Sequence, residues 1–238
     1  VTDSIVCWLW SGTGLGDRPY EPKHVNTLRK AVARHMSRPH RFVCVADSAE
    51  GFDPDVEVFI TPPEARAIGH LRTPEGGRFP SCYRRLWNFS PAAAALGDRL
   101  LCIDIDLVPT GDWAPLFDRE EDFVGWRPYR DWGRKLRIGG GIYLLKAGSR
   151  AHVWDDFRGP ESMNKARRAG FRGSDQAWIS YKLAEREPHY GLDAGIYSIR
   201  DLDSRNPQLP PDARLVQFNG PTKPWTSPLH WVKEHWRG

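Results

Sequence analysis

The sequence predicts an α/β fold, read here as a single domain of 238 residues. Three observations carry this. An apolar run at 4–10, a stretch of helical period at 22–36 and a second apolar run at 41–46 follow in order, as in a right-handed parallel strand–helix–strand unit. Carboxylates close the apolar runs, Asp47 after 41–46 and Asp104 with Asp106 after 100–103, at the strand ends where open α/β sheets bind ligands. No repeat, low-complexity tract or linker interrupts the chain, whose length suffices for one sizeable core.

Composition bounds the function. Hydrophobic residues make up 40% and charged residues 27%, as in soluble globular chains. No apolar run approaches the ~20 residues of a membrane span, and no basic segment followed by an apolar one opens the chain as a signal peptide would. Cys7, Cys44, Cys82 and Cys102 lack metal-type spacing, and three lie in apolar runs. Buried, reduced thiols and a cytoplasmic location are the expectation, not a zinc site or disulfide framework. The formal net charge of +4 is uneven: 127–137 and 158–172 each hold five basic residues and one acid. Such patches suit either an anionic partner or solvated faces. Eleven tryptophans serve a core or stack on sugars and bases, and the core is the commoner use.

The elements follow in order. After the strand at 4–10, the glycine-rich stretch 11–16 could bring backbone N–H groups to a phosphate or act as a plain loop. Val25, Leu28, Val32 and Met36 place an apolar stripe on the helix at 22–36. A strand at 41–46 ends at Asp47, and a short strand at 56–60 leads into an irregular stretch reaching Pro80. Residues 81–89 read as a helix capped by Ser81 and carrying Arg84, Arg85 and Trp87, with a further helical turn at 92–96. Next comes the strand Leu-Leu-Cys-Ile-Asp-Ile-Asp, in which alternation would put Asp104 and Asp106 on one face. Paired carboxylates there either ligate a hard divalent cation bridging to a diphosphate or cap a solvated strand end. A short helix at 113–117, a strand at 123–126, and glycines 139–141 opening a strand to 145 come after. Helices at 151–157 and 175–184 follow, the second capped by Ser174, then strands at 194–199 and 214–217 and a tail rich in Trp, Pro, His and Lys.

The order Cys-Tyr-Arg-Arg-Leu-Trp (82–87), Asp104-Ile105-Asp106, Gly140-Gly141-Ile142-Tyr143, Asp175-Gln176 and Phe218-Asn219-Gly220-Pro221-Thr222-Lys223-Pro224-Trp225 resembles the glycogenin and lipopolysaccharide-galactosyltransferase family of retaining glycosyltransferases. The resemblance covers roughly residues 78–226, and Lys-Pro-Trp is its most distinctive part. It implies a GT-A fold, in which 1–109 would mainly bind the donor nucleotide and 110–238 the sugar and acceptor. It implies a nucleotide-diphosphate sugar as donor and Mn²⁺ or Mg²⁺ on Asp104 and Asp106. Asp104 would also reach the donor ribose. Lys223 would hold the diphosphate, Gly220 would admit it, and Asp175 and Gln176 would lie beside the sugar. Arg85 matches the family's arginine near the donor. Trp10, Tyr20 and Asp47 are assigned to the base.

Two departures matter for the site. Gln217 stands where the family has a histidine metal ligand, with Asn219 and His230 as alternative third ligands. Gly139-Gly140-Gly141 replaces the family's Asn-Ser-Gly. The acceptor is open. The basic patches, with Trp126, Tyr129, Trp132 and Phe171 interleaved, would suit DNA bearing hydroxymethylated bases; a saccharide is the family's commoner acceptor. A non-catalytic nucleic-acid-binding protein is the alternative from another class.

Overall fold

The computed structural model describes residues 1–10, 20–71, 81–127, 138–203 and 205–238. Strand β1 (Asp3–Leu9), helix α1 (Pro22–Arg34) and strand β2 (Arg41–Ala46) open the chain, followed by β3 (Glu57–Ile60) and α2 (Pro63–Ile68). Two 3-10 helices, Ser81–Phe89 and Pro91–Leu96, lead to β4 (Arg99–Ile103) and then β5 (Leu107–Pro109). A 3-10 helix at Ala114–Phe117, β6 (Phe123–Trp126), β7 (Gly139–Lys146), α3 (His152–Asp155), α4 (Pro160–Arg168) and α5 (Asp175–Leu183) come next. The chain closes with β8 (His189–Tyr190), β9 (Ile196–Ser198), β10 (Leu215–Gln217), a 3-10 turn at Pro224–Thr226 and α6 (His230–His235).

The expected mixed α/β architecture is present. Seven strands form a central sheet in the order β3-β2-β1-β4-β7-β6-β8, and three form a second sheet in the order β5-β10-β9. Parallel pairing joins β1 to β2 and β4, while β7 runs antiparallel to β4 and β6. All seven residues of β1 are buried, because both faces of this sheet are covered. Ile5, Cys7 and Leu9 pack with Val25, Leu28 and Val32 of α1. Val6 and Trp8 pack on the other face with Leu86, Trp87 and Phe89. The buried Trp8 indole donates to Asn88 Oδ1 at 2.9 Å, and Asn88 Nδ2 donates to the Tyr143 hydroxyl at 3.0 Å, so this polar group under the sheet is satisfied.

The structure corrects several expected elements. Residues 81–89 form a 3-10 helix rather than an α-helix. A 3-10 turn eclipses residues three apart, which lines up Tyr83, Leu86 and Phe89, each wholly buried. Packing here outweighs propensity. Helix α2 lies in the stretch expected to be irregular, and α4 lies where only a basic patch was legible. Both are short, with two buried residues each, Ala65 with Ile68 and Ser162 with Ala166, too few to set a helical period. Ser174 does not cap α5 with its side chain; its hydroxyl instead donates to Asp175 Oδ1 at 2.8 Å. The expected nucleic-acid stackers Trp126 and Phe171 are core residues, 2% and 7% exposed, while Tyr129 and Trp132 lie outside the described residues, as does the glycine-rich stretch 11–16. Cys7, Cys44 and Cys102 are buried, as expected, and all four thiols are free.

Candidate active site

Asp104-Ile105-Asp106 is not part of a strand. It is the link by which the chain leaves the seven-stranded sheet at Ile103 and joins the three-stranded sheet at Leu107. Two backbone bonds fix it, Asp104 N–H to Gly141 O at 2.9 Å and Phe218 N–H to Asp106 O at 2.8 Å. Ile105 is 5% exposed and belongs to the core packed on α1. The apolar residue between the carboxylates thus anchors the link.

Each carboxylate has its own counter-charge. Arg85, from the 3-10 helix at Ser81–Phe89, bonds Asp104 Oδ1 through Nη1. It also forks onto Asp175, with Nε to Oδ2 at 2.8 Å and Nη2 to Oδ1 at 3.0 Å. This bidentate, charge-assisted contact fixes a guanidinium more firmly than a single bond would. Burial pushes the Asp104 carboxyl up, Arg85 opposes that, and Asp106 and Asp175 add to it, leaving it at about 6. Burial at the end of an apolar run is the main cause, and the neighbouring carboxylates strengthen it.

Asp106 is held from the other side. Lys223 Nζ and the Tyr20 hydroxyl both donate to Asp106 Oδ2, the latter at 3.0 Å. Lys223 and Asp106 are both buried, and Lys223 Nζ also reaches Phe218 O at 3.4 Å. Burial, then Asp106, push the Tyr20 phenol upward, so it acts as a donor to the carboxylate. Behind Tyr20, Trp225 of the Lys-Pro-Trp segment meets its ring edge-on at 5.4 Å, and the His24 imidazole stacks on Trp225 at 3.9 Å.

Gln217 ends β10 and donates Nε2 to Asp104 Oδ2 at 3.0 Å. Its Oε1 is buried and accepts no hydrogen bond from the described residues. A buried carbonyl without a partner is costly, and an amide oxygen is a donor that hard cations take. Asp104, Asp106 and Gln217 supply oxygen donors of the type Mg²⁺ or Mn²⁺ takes; among the described residues no group of three His, Cys, Asp or Glu could hold a metal. Gly141 makes room for this arrangement, since a Cβ there would overlap the Gln217 amide. The other proposed third ligands stand differently. Asn219 Oδ1 accepts from Ser198 Oγ at 2.7 Å, and His230 is exposed at the start of α6.

Asp175 and Gln176 begin α5, and Gln176 Oε1 accepts from Gly140 N–H at 3.3 Å. Gly220 N–H turns back to Phe218 O at 3.0 Å, two residues beyond the backbone bond to Asp106. Trp10 and Asp47 belong to a second group, at the ends of β1 and β2. Arg84 lies 4.8 Å from the Trp10 ring, and its Nη1 is 3.6 Å from Asp47 Oδ2. Sequence reasoning missed the bond from Tyr20 to Asp106 and the tie from Arg84 to Asp47; no local pattern announces contacts 86 residues apart in the first case.

No family model and no curated sequence matches the chain. Among solved structures, the galactosyltransferase LgtC in complex with donor and acceptor sugar analogues matches 98% of this chain and 93% of its own, with TM-score 0.64 and 13% identity. The glycosyltransferase GlyE of Streptococcus pneumoniae matches 99% of this chain and 60% of its own, with TM-score 0.60 and 12% identity. The bifunctional glycosyltransferase WbbM matches 98% of this chain and 51% of its own, with TM-score 0.55 and 12% identity. The chain spans nearly all of LgtC and just over half of the other two. Together with the sheet order, these likenesses establish that the chain has the mixed α/β fold of GT-A glycosyltransferases.

Proposed function

We propose that this chain is an enzyme that transfers a sugar from a nucleotide-diphosphate sugar to an acceptor hydroxyl. The observation that carries the reading is the Asp104-Asp106 link on this fold, where Arg85, Gln217 and Lys223 converge from distant segments. Asp104, Asp106 and Gln217 Oε1 would hold Mn²⁺ or Mg²⁺, which when bound supplies positive charge to a diphosphate leaving group. Lys223, now on Asp106, would exchange that carboxylate for a diphosphate oxygen and balance the charge that grows there as the glycosidic bond breaks. Gly220, without a side chain, lets backbone approach the same phosphate. Asp104 would also receive the ribose.

On the sugar side, Arg85 orients Asp175, and Gln176 beside it presents its amide to the reacting carbon. An acceptor hydroxyl set there attacks largely through positioning. Retention of configuration rests on the resemblance in Asp175-Gln176 and Lys-Pro-Trp. Trp10 and Asp47, at the ends of the first two strands, are our choice for the base. We divide the work so that 1–109 mainly binds the nucleotide and 110–238 the sugar and acceptor. Free thiols at all four cysteines support a cytoplasmic setting; among the described residues no helix is long and apolar enough to cross a membrane.

Two acceptors remain in view. Exposed Arg158, Lys165, Arg167, Arg168 and Arg172 favour an anionic polymer such as DNA carrying hydroxymethylated bases. The acceptor sugar analogue bound by LgtC favours a saccharide. Transfer assays with labelled sugar nucleotides, against duplex hydroxymethylated DNA and an oligosaccharide panel, decide between them. The transferase reading expects diphosphate release with at least one donor and its loss in Asp106→Asn. No release with any donor contradicts it.

A further inference from the structure

We propose that Tyr20 is a positioning residue that keeps the Asp106 carboxylate in place when Lys223 leaves it. The inference rests on the transferase reading above. Tyr20 does two things at once. Its hydroxyl bonds the same Asp106 oxygen that Lys223 bonds, and Lys223 Nζ lies 5.5 Å from the centroid of its ring. Cation–π attraction at that distance is favourable, so one side chain touches both partners of a buried ion pair.

Tyr20 is itself held from behind. It precedes Glu21, the N-cap of α1, whose N–H donates to His24 Nδ1 at 3.0 Å. His24 stacks on Trp225, and Trp225 meets the Tyr20 ring. The first turn of α1 and the Lys-Pro-Trp turn therefore clamp Tyr20 between them.

The consequence is chemical. On the transferase reading Lys223 moves from Asp106 to the diphosphate, so Asp106 changes partners during a cycle. If Lys223 were its sole support, Asp106 would be free to rotate when the diphosphate draws the ammonium away. A hydroxyl that stays on Oδ2 prevents this and directs the other oxygen, which accepts no hydrogen bond from the described residues. Hydrogen bonds of this outer kind commonly change cation affinity 10–100-fold.

The test is Mn²⁺ titration of wild type and Tyr20→Phe, following the electron paramagnetic resonance of free Mn²⁺ with uridine, guanosine or adenosine diphosphate present. Tyr20→Phe keeps the ring and loses the hydroxyl. We expect Mn²⁺ binding about tenfold weaker. In transfer, the Mn²⁺ concentration giving half-maximal rate should rise about tenfold. Equal or tighter Mn²⁺ binding in the variant overturns the role of Tyr20 alone. A wild-type protein that binds no Mn²⁺ with any of the three diphosphates overturns the transferase reading with it.

Discussion

Asp104 and Asp106 stand two residues apart and are held by opposite kinds of partner. Asp104 meets a guanidinium that is also forked onto Asp175, and an amide from β10. Asp106 meets an ammonium on a flexible stem and a phenol. Arginine's planar fork, bridging two carboxylates, has no simple way to let one go. A lysine is a point charge that can move to a better anion. The Asp104 side ties the 3-10 helix, α5 and β10 together, and on the transferase reading proposed above the Asp106 side is the half whose cation is exchanged.

Removing Arg85 should do the most damage. Arg85→Ala leaves Asp104 and Asp175 without their cation, and Asp175 is 1% exposed. Breaking a buried pair costs about 3–5 kcal/mol, so chemical denaturation should show a loss of that order together with loss of transfer. Lys223→Ala should lower turnover about 10²–10³-fold, as removal of a group that stabilises transition-state charge does. Its stability loss should be smaller, because one carboxylate is exposed to the change and Tyr20 remains on it. If Lys223→Ala destabilises as much as Arg85→Ala, the division into fixed and exchangeable halves fails.

Gly141→Ala sharpens the Asp104 side. The added methyl displaces the Gln217 amide, so Mn²⁺-dependent diphosphate binding should weaken about tenfold, measured by calorimetry, with the fold retained. An unchanged affinity would remove Gln217 Oε1 from the cation site. The smallest effect lies far from both carboxylates, where His235 Nδ1 sits 3.3 Å from His35 Nε2 and Arg34 donates to the carbonyls of His235 and Arg237. Burial lowers both imidazoles below 6.5; His235 and Arg34 lower His35 further against Asp112, and Arg34 and Arg237 lower His235 further against Glu234. Below pH 6.5 the unfolded chain therefore binds more protons than the folded one. Stability from this pair is full above pH 6.5 and is lost as pH falls through the folded values. His235→Gln should narrow the loss between pH 7.5 and 5.5 by less than about 1 kcal/mol, read by urea unfolding on tryptophan fluorescence.

The opening of the fold was legible because strand and helix periods there are undiluted. Residues 5–10 read as apolar throughout and prove buried on both faces, and Val25, Leu28 and Val32 form the buried stripe of α1. The switch between sheets at Asp104–Asp106 was not legible. Leu107 and Val108 extend the same apolar pattern, so the chain reads as one strand where it changes partners from β1 and β7 to β10. The carboxylates themselves could be singled out by type and spacing. Their counter-charges could not be assigned, since Arg85 reaches Asp175 across 90 residues and Lys223 reaches Asp106 across 117. Ser174 shows the converse error: a residue type that favours capping was read as a cap, but the nearest strong acceptor, Asp175, takes its hydroxyl.

The central claim is that the Asp104–Asp106 link receives a cation and a diphosphate together. Thermal denaturation of the wild-type protein with nucleoside diphosphates, with and without Mn²⁺, tests it directly. The midpoint should rise only with both the cation and one preferred nucleotide present, and the rise should disappear in Asp106→Asn. A shift that is the same without Mn²⁺, or that survives in Asp106→Asn, would contradict it.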